Sequence, residues 1–588
     1  MVFLMKFRSL QDAFWLIALI AAVSIWSSGP ALAQTASEKT GPDKTGFRER
    51  IQPFLEAHCF KCHGPEKQKS RIRFDRLTTY RSENSALWTK VHKALVHEEM
   101  PPEEATQPSA SDRARVASWI VSQQRASRSG TVRRLNRREL SAALQDLTGL
   151  QVDYASMLPA DGKVDGFDTG ADGLQDAADS VARVMKITRR AVDAIRFLEP
   201  AGLKLTGDLR QEKHPKREVE RWRKEHGYRV GLKGYDLKQK GVLLSPSWLK
   251  GGSESSIEIP TPDGQPKGVA RVTLVVSAPK GMKGLPTPHL NLNVPGQNTG
   301  YFDVTGTFEK PQTLTFDVQL DELPPDRNKR IRLRFRSLVE LPYEVKGFPN
   351  DTRTKKGERV PPGTKIYKPV YDRKKIKNPL EHPVPYTLLQ QITFEPNHVA
   401  AWPPESWGVK VGKLDDSVKS AEKLLSIWME RAWRRPVKRH EVSHFLGLHR
   451  KLRAQQMTFD NALRGAFQSV LMSGPFRYHA SVADKDTVIA QYAIASRLSF
   501  MLIGSPPEKT LRDLAKARKL RDPKILDAQV DRLIADSRSD AFFKPFVTQW
   551  LEIGQPITIA MRSIKNQDFQ FGRHLRDSMR AETVAYVR

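Results

Sequence analysis

Apolar residues recur along this chain with different periods, and the changes of period divide it into regions. Near the start, an apolar run from about Phe14 to Trp26 follows Lys6 and Arg8, and the segment closes on Ala31-Leu32-Ala33. A positive start, an apolar middle and a small-x-small end predict a secretory signal peptide over 1–33, cleaved after Ala33, in preference to a retained anchor helix. No later run has the length of a membrane span. From Phe47 the spacing is helical: Ile51, Phe54 and Leu55 share a face up to His58. A second amphipathic stretch starts at Leu87 and runs to Met100-Pro101-Pro102. A third, about Ser111 to Gln124, turns Val116, Trp119 and Ile120 inward. Leu135, Leu140, Leu144 and Leu147 predict a further helix that Gly149 stops, and another follows over 175–198.

Between 240 and 400 the period falls to two. SSIEIP, GVARVTLVVSA, HLNLNV, TLTFDVQL and KRIRLRFRS alternate between Pro/Gly turns, as strands of an antiparallel sandwich or jelly roll do. Beyond 415 the pattern is helical to the end, where AETVAYVR stops inside a helix, as expected of a fragment of a longer chain. The expected architecture is multidomain α+β. It has a small all-α domain over 45–127, a helical domain over 128–200, an antiparallel β-sandwich or jelly-roll-like domain over 201–410, and helical domains over 415–482 and 485–588.

Charge and composition narrow the setting. With 39% hydrophobic residues, the 588-residue chain is globular rather than polytopic in a membrane. Its 96 basic against 66 acidic residues give +30, which favours a polyanionic partner. Removing 1–33 leaves that balance almost unchanged. Export to the periplasm or cell envelope makes nucleic acid an unexpected partner and points to a carbohydrate or acidic envelope polymer instead. The lysine-rich stretch 353–377 reads as a solvated loop or as a contact for such a polymer.

Both cysteines of the chain fall in one short motif, Cys59-Phe60-Lys61-Cys62-His63. C-x-x-C-H is the spacing for covalent haem c attachment. Two thiols on one turn meet the two vinyl groups, and the adjacent imidazole lies under the iron as proximal ligand. A thioredoxin-like pair would need a βαβ context, zinc a fourth ligand, and a disulfide a strained short loop. Cys59 and Cys62 are therefore expected to hold haem and His63 to bind its iron. Met100, whose following prolines stop the helix, is the expected distal ligand ahead of His92 and His97. His58 reads as a bystander at the haem edge.

FLEAHCFKCHGPEKQKSRIRFD, followed by the LW…EMPP segment, resembles the planctomycete-type cytochrome c domain over about 47–105. That domain heads large exported proteins of uncharacterised function. The R-L-N-R-x-E helix leading into a G-F-D turn resembles a helical domain that accompanies it. R-A-x-R-R-P, L-x-S-x-x-F-x-Y and A-x-R-L-S-x-x-L resemble the domains of unknown function that follow. Around Ile503-Gly504-Ser505 the chain departs from the tryptophan and aspartate usual there.

Three other groups invite chemistry. Asp161, Asp165, Asp168 and Asp172 suggest a calcium loop, but no glutamate closes a twelve-residue EF-hand, so a structured turn is expected. Trp402 and Trp407 fit a sugar-stacking platform less well than a packed junction. His440, His444 and His449 lack an H-E-x-x-H context and read as surface and junction residues. With no acid–base pair or triad in evidence, electron transfer to an unidentified redox partner is the leading expectation. A haem-linked oxidoreductase with its catalytic centre elsewhere and an envelope polysaccharide-binding protein are the alternatives.

Overall fold

Helices form where the apolar period is near 3.6 and strands where it is two, and the chain is a multidomain α+β protein as expected. A computed structural model describes residues 46–588 except 129–131, 175–176, 212–213, 245–254, 262–267, 279–286, 295–300, 322, 327, 339–385, 481, 483–486 and 554–572. The expected signal peptide and the lysine-rich stretch 353–377 lie outside the described residues. The chain forms two compact units. The first holds the residues up to Arg133 with His479–Ile494 and Asp513–Asp522; the second holds Arg134–Tyr478, Ala495–Arg512 and Pro523–Arg588.

In the first unit, a π-helical start over Phe47–Ile51 leads into the α-helix Gln52–His58, which the short helix Phe60–His63 follows. The helices Ser85–Val96 and Ala110–Arg128 come next in the unit. Phe47, Ile51, Leu55, Trp88, Val116 and Ile120 are buried together. Trp88 meets Phe47 and Trp119 edge-on, at centroid distances of 6.2 and 5.4 Å, an arrangement the ring quadrupoles favour. The helix expected to reach Met100 ends instead at Val96, because Glu98 takes a left-handed conformation at φ 57°.

The second unit begins with the helix Arg137–Thr148. Asn136 and Glu139 cap it reciprocally, and Gly149 stops it at φ 71°. The helix Ala178–Asp193 follows, and after it the chain leaves for the sandwich along β1 (Ile195–Arg196). It returns along β13 (Ala400–Ala401), which pairs with β1 in parallel. The helices Val418–Trp433, Arg439–Ala454 and Phe459–Met472 then pack back on the earlier pair. Leu140, Leu144, Ile187, Leu424, Trp428 and Phe467 belong to one core, so helices on either side of the sandwich share a single interior. Trp428 and Phe467 stack with their centroids 4.2 Å apart.

Between β1 and β13, eleven strands among the described residues form two antiparallel sheets: β2 (Leu205–Asp208), β3 (Arg229–Gly231), β4 (Gly234–Leu237), β5 (Gly241–Leu244), β6 (Ser255–Pro260), β7 (Val269–Ser277), β8 (His289–Asn293), β9 (Tyr301–Asp303), β10 (Gln312–Gln319), β11 (Arg330–Leu338) and β12 (Thr387–His398). One sheet runs β10-β7-β12-β5-β4, with β2 also on β12; the other runs β3-β6-β11-β8-β9. Val272, Leu274, Phe316 and Ile392 of the first face Ile257, Leu292, Leu333 and Phe335 of the second across one apolar core. The first sheet also joins the helical core. Val269 is part of that core, and the Gln151 N–H donates to Asp317 Oδ2 at 2.7 Å.

Candidate functional site

The C-x-x-C-H motif sits where one helix breaks and the next begins. Cys59 ends Gln52–His58 with φ −122°, and its N–H donates to the Leu55 carbonyl at 2.8 Å. The Cys59 carbonyl then accepts from His63 N–H at 2.9 Å, which folds the motif into a single turn. Both cysteines and His63 are half-buried. Gly64 is required just after the motif, because a Cβ there would lie 2.4 Å from the Phe60 carbonyl oxygen. The chain then turns back: Gly64 N–H donates to Lys67 O, and Phe74 N–H donates to His63 O at 2.8 Å. This return places the Lys69 carbonyl 3.0 Å from His63 Nδ1. A carbonyl only accepts, so Nδ1 carries the proton and Nε2 keeps a lone pair for a metal. Ser70 and Arg71, at φ 55° and 59°, hold the reversal that delivers Lys69. Phe74 buttresses the imidazole edge-on at 5.4 Å.

The Cys59 thiol is not placed as a thioredoxin-like attacking thiol. Burial, with Cys62 beside it, pushes the Cys59 thiol up to about 12, whereas attacking thiols are shifted the other way. Among the described residues, no three His, Cys, Asp or Glu side chains converge as ligands of a single ion would.

Met100 follows the helix Ser85–Val96 on a loop pinned at several points. Its side chain is 47% exposed. Arg113 Nη1 donates to the Met100 carbonyl at 2.7 Å, and Arg113 Nη2 donates to Gln107 Oε1 at 2.6 Å. Gln107 Nε2 in turn donates to the Pro102 carbonyl at 2.8 Å. His58, expected as a bystander, ties the loop to the motif, its Nδ1 lying 2.9 Å from the Thr106 carbonyl. His97 is exposed and His92 half-buried.

Residues 59–104 match the family model of planctomycete cytochrome C. Three further models, all described as proteins of unknown function, match downstream: DUF1587 over 133–196, DUF1595 over 420–480 and DUF1592 over 489–588. The chain is thus a multidomain protein headed by a planctomycete cytochrome C segment, as the motifs implied. The first two downstream matches flank the sandwich. No curated protein matches the chain.

Outside the cytochrome segment, Asp161, Asp168, Trp402 and Trp407 have structural roles. Arg134 pairs with Asp161 at 2.9 Å, and Asp161 also accepts from Arg137 N–H at 2.7 Å. Arg138 grips Asp168 with both guanidinium nitrogens, which holds that carboxyl below its usual range although burial opposes this. Trp402 is buried. Its indole N–H donates to the Leu147 carbonyl at 2.8 Å, and its ring meets Trp407 edge-on, a packed junction. Arg431 lies 4.5 Å above the Trp407 ring. His440 and His444 are exposed, and His449 stands at the junction of Arg439–Ala454 with Phe459–Met472. It is buried against Phe459, and neither ring nitrogen has a hydrogen-bond partner.

Sequence reasoning missed the residues that orient the candidate ligands: the Lys69 carbonyl, Arg113 and Gln107. A backbone acceptor carries no side-chain signature, and an arginine in an exposed amphipathic helix looks like solvation. Only the left-handed pair at Ser70 and Arg71 marks the first of them, and that is a property of the folded backbone.

Proposed function

We propose that the cytochrome segment carries one haem c and that the exported chain passes electrons between it and a redox partner at the periplasm or cell envelope. In this reading Cys59 and Cys62 would hold the haem through thioethers, and His63 Nε2 and Met100 Sδ would be the protein donors to its iron. The fixed tautomer of His63 carries the reading. Its Nδ1–H is committed to the Lys69 carbonyl, which turns Nε2 outward as a ligand and raises its basicity. The donor set fits the group: two half-buried thiols on one turn, an imidazole with a free Nε2, and a thioether on a braced loop.

A bound haem c supplies a one-electron iron couple. The protein's part is to hold the axial donors and to keep water off the apolar side of the site, where Phe54, Leu55 and Phe74 are buried. With His63 and Met100 both given to the iron, the group would serve electron transfer rather than oxygen or peroxide chemistry.

The test is an optical spectrum of the full chain matured with c-type haem machinery. The proposal expects thioether-shifted α-bands in the pyridine haemochrome and loss of covalent haem on Cys59→Ala with Cys62→Ala. It also expects loss of the methionine–iron charge-transfer band on Met100→Ala. A chain that leaves this machinery without covalent haem would overturn it.

A further inference from the structure

The segment that returns behind the C-x-x-C-H motif carries charge that the site itself does not use. Lys61 stands inside the motif, and Lys67, Lys69 and Arg71 follow Gly64; all four side chains are exposed. The backbone of this strap is committed. The Lys67 carbonyl accepts from Gly64 N–H, the Lys69 carbonyl accepts from His63 Nδ1, and Arg71 N–H donates to the Gln68 carbonyl. The four side chains are not: among the described residues, none of them has a hydrogen-bond or ion-pair partner. Arg73, by contrast, is held by Asp75. Glu66 is the one acid between Lys61 and Arg71. The segment that carries Met100 has the opposite sign. Glu98, Glu99, Glu103 and Glu104 are exposed, and no ion pair joins them to other described residues.

We propose that the strap 61–71 is the docking surface for the redox partner, and that this partner is a protein with an acidic patch beside a one-electron centre. The proposal rests on the haem reading and names the kind of partner which that reading leaves open. A carboxylate that approaches these cations displaces no existing contact, so its attraction is not offset by a broken ion pair. The place of the strap matters as much as its charge. Lys69 gives its carbonyl to His63, so a partner seated on Lys67 and Lys69 is one hydrogen bond away from the proximal imidazole. At the glutamates beside Met100 the same partner would meet like charge, and the two segments together steer it into one orientation. One electron crosses, one centre is oxidised as the other is reduced, and no bond forms or breaks. An acidic polysaccharide or a nucleic acid has the charge but no redox centre.

Stopped-flow oxidation of the reduced, haem-loaded full chain tests the proposal, with ferricyanide as the anionic probe and tris(phenanthroline)cobalt(III) as the cationic one. The ferricyanide rate should fall as salt rises, and the cobalt rate should not. Lys67→Gln with Lys69→Gln leaves the Lys69 carbonyl in place and should lower the ferricyanide rate roughly threefold to tenfold at low salt. Lys410→Gln with Lys413→Gln, two exposed lysines of the second unit, removes the same charge and should leave that rate within about twofold. Lys67→Arg with Lys69→Arg should keep the parent rate. Poly-L-aspartate, standing in for the acidic patch, should slow ferricyanide oxidation of the parent and not of the Lys67/Lys69 glutamine pair. Should that pair load no haem, the salt dependence and the polyaspartate arm on the parent chain still decide. Equal losses in both glutamine pairs, a salt-independent ferricyanide rate, or no effect of polyaspartate would overturn the docking surface while the haem reading stands. Stronger inhibition by dextran sulfate or duplex DNA than by polyaspartate at equal charge would also overturn it. A chain without covalent haem would overturn both.

Discussion

His63 depends on an acceptor that no side chain supplies. Its Nδ1–H reaches the Lys69 carbonyl only because Ser70 and Arg71 accept left-handed backbone angles. Replacing Ser70 with proline, whose φ is locked near −65°, forbids that angle. Ser70→Pro should therefore free the imidazole and raise the haem potential or loosen its bond to the iron, read by potentiometry of the matured chain, while Ser70→Gly should keep both. At Met100 the bracing comes from Arg113 and Gln107. Arg113→Ala is expected to weaken the charge-transfer band of the full chain without reducing covalent haem. That split separates loop bracing from attachment.

Two buried residues away from the haem segment make stability predictions. Arg434 closes the helix Val418–Trp433, with its guanidinium donating to the carbonyls of Ala432, Pro475, Phe476 and Tyr478 at 3.0–3.2 Å. Burial pushes its pKa down to about 10, which still leaves it charged at neutral pH. Arg434→Ala orphans those carbonyls and should cost about 3 kcal/mol or more in chemical denaturation. His449 behaves in the opposite way. Burial first, then Arg453 and Arg450, push its pKa down from 6.5 to about 4. The unfolded chain therefore takes up the proton before the folded one does. Its contribution to stability is fully present above about pH 6.5 and is lost as pH falls toward about 4. His449→Phe should flatten the fall of the melting temperature across that interval relative to the parent chain.

At the scale of elements, the joint between sandwich and helices decides the most. β1 and β13 lie side by side, so the chain leaves and re-enters the helical core at adjacent points. Asp460, buried, accepts from Phe197 N–H at 2.7 Å and from Leu198 N–H at 3.0 Å, while Arg464 Nη2 donates to the Ile195 carbonyl at 2.8 Å and to Glu199 Oε2 at 2.7 Å. Both groups come from one helix, and they fix the direction in which the chain departs. Asp460→Ala strands two part-buried N–H groups and should destabilise the chain by about 1–2 kcal/mol, measured by urea unfolding. Alternation made the strands of the sandwich legible, and heptad-like leucines made the helix after Leu135 legible. The sharing of one core by helices more than two hundred residues apart was not legible, because periodicity reports which face is apolar and not what that face meets.

For the whole molecule, the sandwich behaves as an insertion. Gly202 lies against the Asn397 carbonyl, so the two ends of the excursion meet. Replacing 203–396 by a short Gly/Ser linker should leave a cooperatively folded helical core with a lower melting temperature, since Val269 and Asp317 leave with the sandwich. Circular dichroism and thermal melting check this. An unfolded product would show that the first sheet is an obligatory part of that core.

The sequence by itself determined the C-x-x-C-H turn, the periods of helices and strands, and the resemblance that the family models later matched. Each of these is local, set by residues within a turn, a few turns or a strand. Only the tertiary structure decided that Lys69 sets the tautomer of His63, that His449 is buried and that distant helices share one interior. Those facts depend on chain reversals and strand register, and long-range packing chooses them among alternatives that the local pattern leaves equal in energy.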